Sequence, residues 1–170
     1  MKAAEAILAT LPLRPHAKIS IVYGDQLKGA GGEVYGMTDV KRRRIVMDRE
    51  LRHAPEDFKR ILIHELFHFA WPRLGNKRRR EWEDLLLHEM EIGARGELGW
   101  SANWRKDRLT GDDCLARSPR WRDYACESFC DTAAWLFSGL NKHEEFTLTT
   151  RNQDRRRKWF VEIGNEGFSV

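Results

Sequence analysis

The feature that most constrains this chain is His64-Glu65-Leu66-Phe67-His68, an H-E-x-x-H set inside a run from Phe58 to Ala70 that reads as helix. Side chains at i and i+4 leave the same helical face, so the two imidazoles can converge on one ion. That is the geometry of a zinc site. Glu65 stands beside them, close enough to hold a metal-bound water without being a ligand, which suits a general base and permits hydrolysis. Either histidine alone reads as a hydrogen-bonded core residue, but the pair at this spacing reads as a metal site. Pro55 fits the first position of the helix, Glu56 and Asp57 suit its positive end, and Pro72 and Gly75 stop it.

Two ring nitrogens do not complete a catalytic zinc site, which ordinarily has three protein ligands and a water. A third histidine close behind the motif is absent: Trp71 stands where H-E-x-x-H-x-x-G-x-x-H needs glycine, and Leu74 where it needs histidine. The better candidate lies in Tyr124-Ala125-Cys126-Glu127-Ser128-Phe129-Cys130-Asp131, also helical in character. Glu127 and Asp131 share a face there, so Glu127 is expected to bind the metal while Asp131 accepts the distal N–H of a ligand histidine. His88 is the rival third ligand. Tyr124, three residues before Glu127, is a candidate to polarise a substrate carbonyl or hold an oxyanion, against a plain buried tyrosine. His143 is the alternative for that role.

H-E-x-x-H followed by a downstream helix with E-x-x-x-D resembles the gluzincin clan of zinc metallopeptidases, and is most similar to single-domain minigluzincins and ImmA/IrrE-like peptidases. The resemblance covers roughly Glu33 to Leu140 and is specific at its two helical motifs. It implies His64, His68 and Glu127 as ligands, Glu65 as base and Asp131 behind the ligands, with Zn2+ as cofactor and a peptide or protein as substrate. It also implies a zincin-like fold whose edge strand lies along the cleft. The Tyr35–Thr38 or the Arg44–Asp48 strand is then the substrate rim, or else an edge strand with no such role. His88 gives a weaker likeness to SprT-like DNA-associated proteases, without their C-x-x-C ribbon. A metal-binding regulatory module with little peptidase activity is the remaining alternative.

At 170 residues the chain fits a single domain with a real core. A charged fraction of 33% against 41% hydrophobic indicates a heavily ionised surface. No stretch approaches the roughly 20 apolar residues that span a bilayer, and the start lacks a secretory apolar region, so cytoplasmic residence without membrane contact is expected. Cys114, Cys126 and Cys130 read as reduced thiols, with Cys126 and Cys130 one turn apart as a conceivable soft-metal pair. Net charge is +4, with the basic residues clumped in Lys41–Arg44, Lys77–Arg80 and Arg155–Lys158. These read as solvated faces in preference to nucleic-acid contacts.

The expected class is α+β: a small antiparallel sheet packed on an active-site helix and a third-ligand helix. Lys2–Leu11 reads as a packing helix, Lys18–Tyr23 as a half-buried strand, and Gly24–Gly32 as a glycine-rich turn. Glu33–Thr38 and Arg44–Asp48 read as a hairpin. Arg78–Ile92 and Pro119–Leu140 read as helices, with Gly93–Arg117 between them as a long loop or lid. Trp100 and Trp104 in that loop are expected to cover the core in preference to lining a cleft. Thr147–Thr149 suggests a short extended piece and Asp154–Ile163 a final helix, with the last residues frayed.

Overall fold

A computed structural model describes residues 2–14, 17–29, 31–165 and 167–170. In chain order the elements are α1 (Lys2–Thr10), β1 (Leu13–Arg14), β2 (Ser20–Gly24), β3 (Lys28–Gly29), β4 (Gly32–Glu33), β5 (Gly36–Asp39) and β6 (Arg44–Asp48). They continue with α2 (Pro55–Ala70), α3 (Gly75–Glu91), α4 (Trp100–Lys106), α5 (Gly111–Ala116), α6 (Pro119–Ser138), α7 (Thr150–Gly164) and β7 (Phe168–Ser169). The class is α+β, mostly helical with small sheets. No helix among the described residues is long and apolar enough to cross a membrane.

The main sheet has the order β2-β6-β5. β5 and β6 pair antiparallel around a turn in which the Asp39 carboxylate accepts the Arg42 N–H and Arg43 takes φ 50°. That is the expected hairpin. β2, however, pairs parallel to β6, Ser20 opposite Arg44 through Gly24 opposite Asp48, so the sheet is mixed and not purely antiparallel. Period-two alternation marks a strand but carries no information about the direction of its partner. β6 is therefore central and turns Ile45 and Met47 inward, both fully buried. β5 is left at one edge, and the central place of β6 removes Arg44–Asp48 as a possible rim.

α2 runs through the middle of the core. Pro55 opens it, Glu56 and Asp57 occupy its first turn, and Phe58, Leu62, Ile63, Leu66, Phe67, Phe69 and Ala70 are buried along it. α6 packs against it, entered through the Ser118 cap and Pro119 and closed by Gly139 at φ 80°. Phe67, Phe129, Phe160 and Phe168 form one aromatic cluster, with ring centroids 5.0 Å apart for Phe129 and Phe160 and 5.1 Å for Phe67 and Phe168. The chain end is thus held, not frayed: β7 pairs parallel with β1, and Phe168 and Val170 are buried. Gly24–Gly32, apart from Ala30, which lies outside the described residues, carries the small β3–β4 ladder. Thr147–Thr149 forms no strand.

The stretch from Gly93 to Arg117 is not a structureless loop. It holds α4 and α5, the latter started by a reciprocal cap between Thr110 and Asp113. Trp100 stays 42% exposed and stacks on Trp104 with centroids 6.0 Å apart, lining a cleft rather than the core.

Candidate metal centre

α2 and α6 bring the two helical motifs face to face. His64 Nε2 lies 3.2 Å from His68 Nε2 and 3.2 Å from Glu127 Oε2, and His68 Nε2 lies 3.9 Å from the same oxygen. On the far side of the first ring, Nδ1 is 2.7 Å from Asp131 Oδ1. A carboxylate only accepts, so Nδ1 of His64 carries the proton and its Nε2 presents a lone pair. His68 Nδ1 faces Cys126 Sγ at 3.6 Å, and donation to sulfur leaves its Nε2 bare in the same way. Three lone pairs then point at one place. A cation, whether a proton or a metal ion, satisfies such an arrangement.

The electrostatics agree with that reading. Burial pulls the His64 pKa down, but the Asp131 and Glu127 carboxylates outweigh it and the result is well above an ordinary histidine. Burial likewise opposes charge on His68, yet Cys126 and Glu127 raise it to about 9. Burial works to raise Glu127, and the two imidazoles with Arg105 overcome it to hold the carboxyl at about 2. The Cys130 thiol and His68 hold Cys126 down at about 6, while burial pushes Cys130 up. His64, His68 and Cys130 each offer a ligand atom within 4.8 Å of the others, a group that could hold a metal ion.

Glycine and helix geometry set this centre in place. The second oxygen of Asp131 accepts the Ala102 N–H at 2.9 Å, tying His64 to the first turn of α4. Gly99 makes the approach possible, since a Cβ there would meet the Asp131 carboxyl carbon at 2.2 Å. Arg105, further along α4, holds the free oxygen of Glu127 at 2.9 Å. On the other side, Thr38 of β5 donates its hydroxyl to Glu65 Oε2 at 2.7 Å and also lies 3.0 Å from the Glu65 carbonyl. Gly36 lets that edge strand press against the helix: a Cβ there would sit 2.7 Å from Glu65 Oε1. A cleft between β5 and α4 is lined by Gly36, Thr38, His64, Glu65, His68 and Glu127, with Met37 and Trp100 exposed on its rim.

Of the residues expected from sequence, His64, Glu65, His68, Glu127 and Asp131 meet here. Tyr124 does not. It is fully buried, and its hydroxyl donates to Glu97 at 2.5 Å within a cluster where Arg156 binds both Glu89 and Glu97. Three residues before Glu127 is about 60° round the helix, and there the tyrosine points into the core towards Glu97. His88 is also displaced: its side chain is half exposed and its nearest carboxylate is Glu91 at 4.0 Å. His143 lies 3.4 Å from Asp57, beside Arg60 and Glu145. Sequence reasoning missed Arg105 and Thr38, because their roles come from how α4 and β5 close over α2.

Several members of the basic runs are engaged within the chain. Arg43 donates to the carbonyls of Ala17 and Lys18, Arg78 and Arg80 face Glu81 and Glu83, and Arg156 is fully buried. Compared with protein-family models, with curated proteins and with solved structures, the chain matches none.

Proposed function

We propose that this chain is a zinc-dependent metallopeptidase with a zincin-like active site, in which His64, His68 and Glu127 hold the ion and Glu65 is the general base. The observation that carries the reading is the convergence of two imidazole Nε2 atoms and one carboxylate oxygen at 3.2, 3.2 and 3.9 Å, with an uncoordinated carboxylate beside them. Tetrahedral zinc with bonds of ~2.0–2.1 Å puts ligand atoms about 3.3 Å apart, so the donor set fits. Two histidines and one carboxylate are also the catalytic kind of donor set, which leaves a position open.

When bound, zinc supplies Lewis acidity, lowering the pKa of water toward about 7 and polarising a carbonyl. The rest falls to the chain. Glu65 takes a proton from water and passes it to the leaving amine. Thr38 fixes one of its oxygens, leaving the other toward the cleft. Asp131 holds the His64 ring in the tautomer that presents Nε2. The exposed outer edge of β5 offers backbone groups to an extended peptide.

The test is hydrolysis of an unfolded protein substrate by the zinc-loaded chain and by Glu65→Gln. The variant is expected to keep its zinc and lose activity by about 100-fold or more. Zinc bound with no hydrolysis by either protein would instead favour a metal-binding regulator.

A second reading has its own observation. If the Cys130 sulfur takes the place of Glu127, the site is softer but still has three protein ligands and a position left open. Glu127→Ala and Cys130→Ser separate the two, since the variant that empties the site identifies the ligand.

A further inference from the structure

A second cavity, of about 490 Å3, opens beside the metal centre and is lined by Trp104, Arg105, Arg108, Arg120 and Asp123. It shares Arg105 with the cleft that His64, Glu65, His68 and Glu127 line. We propose that this cavity is a subsite for an acidic side chain of the substrate, glutamate above all, within about two residues of the bond that is cut. The proposal rests on the peptidase reading for its meaning, though not for its test.

Arg108 is the cation that favours an anion here. Three guanidinium groups and the Asp123 carboxylate line the cavity, and two of the three arginines already have a carboxylate of their own, Arg105 bonded to Glu127 and Arg120 in the field of Asp113. Arg105 is fixed by its 2.9 Å bond to Glu127. Arg108 lies over the Trp104 ring, 4.0 Å from its centroid, and donates to the Trp104 carbonyl at 2.6 Å. Among the described residues, Arg108 has no carboxylate within ion-pair distance. Arg108 is thus held in position while most of its donors remain for a ligand, the condition under which a guanidinium fork recognises a carboxylate.

The walls choose among anions. The indole face and the arginine stems are apolar and suit the methylenes of glutamate better than the shorter aspartate. Asp123 on the same wall opposes a doubly charged phosphate more than a singly charged carboxylate. A terminal carboxylate would share the chemistry of the side chain, so the experiment blocks peptide termini.

The full chain, zinc-loaded, is incubated with acetylated and amidated peptide libraries carrying Glu, Asp, Gln, Lys or phosphoserine at each position, and cleavage is read by mass spectrometry. In parallel, binding of the same fluorescent peptides to the Glu65→Gln protein is read by anisotropy. Glutamate is expected to beat glutamine by about tenfold or more at one position in both arms. The double variant Arg108→Ala with Arg120→Ala should flatten that ratio, and Arg108→Glu with Arg120→Glu should turn it toward lysine at the same position. The proposal is overturned if no position prefers glutamate, if the ratio survives both double variants, or if phosphoserine exceeds glutamate. If nothing is cut yet glutamate peptides bind in an arginine-dependent way, the subsite stands and the peptidase reading fails.

Discussion

Each donor at the centre is oriented by a partner with no ligand role, and these partners are where single substitutions are most informative. Asp131→Asn replaces an acceptor-only group behind His64 with one that can also donate, and zinc affinity is expected to fall about 10–100-fold in a chelator competition. Protonation gives an independent check. In the metal-free protein, Cys126 and Glu127 outweigh burial and raise His68 to about 9 from 6.5. A raised folded pKa contributes stability that is complete below 6.5 and is lost as pH rises through 9. Cys126, lowered from 9.0 to about 6, gains stability over the same window and offsets His68, so the decline of the melting temperature of the chelated protein above pH 6.5 is expected from His64, which Asp131 and Glu127 hold well above the ordinary value. Zinc-loaded protein should decline less there, because a ligand ring carries no proton on Nε2.

Among the elements, α4 carries more than its seven residues suggest, since Ala102 caps Asp131 and Arg105 holds Glu127. Gly99→Ala should push α4 off the Asp131 carboxylate, costing about 1–3 kcal/mol in denaturant unfolding and weakening zinc binding together. A loss of stability with zinc affinity unchanged would contradict that coupling. The role of α4 could not be read from its sequence, because the Gly93–Arg117 stretch around it shows no clear periodicity. α5 did leave a signal, the Thr110 to Asp113 spacing of a capping box. α2 and α6 were legible because both have proline starts, long apolar stripes and functional residues at i, i+4. The direction of β2 and the anchoring of β7 were not, because both depend on partners far away in the chain. Arg156 was hidden for a different reason. A run of Arg155-Arg156-Arg157-Lys158 looks like a solvated face, yet α7 turns one member inward onto Glu89 and Glu97. Arg156→Met would leave Glu89 buried without its partner and Glu97 with Lys106 alone, at a cost of about 3–5 kcal/mol in chemical denaturation.

Across the whole molecule, the metal centre sits between the two helices that dominate the core, so an ion there would act as a cross-link between α2 and α6. Free zinc at about 1,000 times its dissociation constant adds about 4 kcal/mol to stability. For a chain of this size that corresponds to a rise of roughly 8–16 °C in melting temperature, which a chelator should reverse. The cleft, the edge strand β5 and the arginine cavity lie on the side of the centre formed by β5, α4 and the start of α6, so substrate selection is expected to reside there. The most direct measurement is anomalous scattering at the zinc edge from crystals of the zinc-loaded protein, paired with metal content of Glu127→Ala. One strong peak contacting His64 Nε2, His68 Nε2 and Glu127 is expected, with a largely empty site in the variant. A peak on Cys130 with Glu127 turned away, or no peak between α2 and α6, would contradict that ligand set.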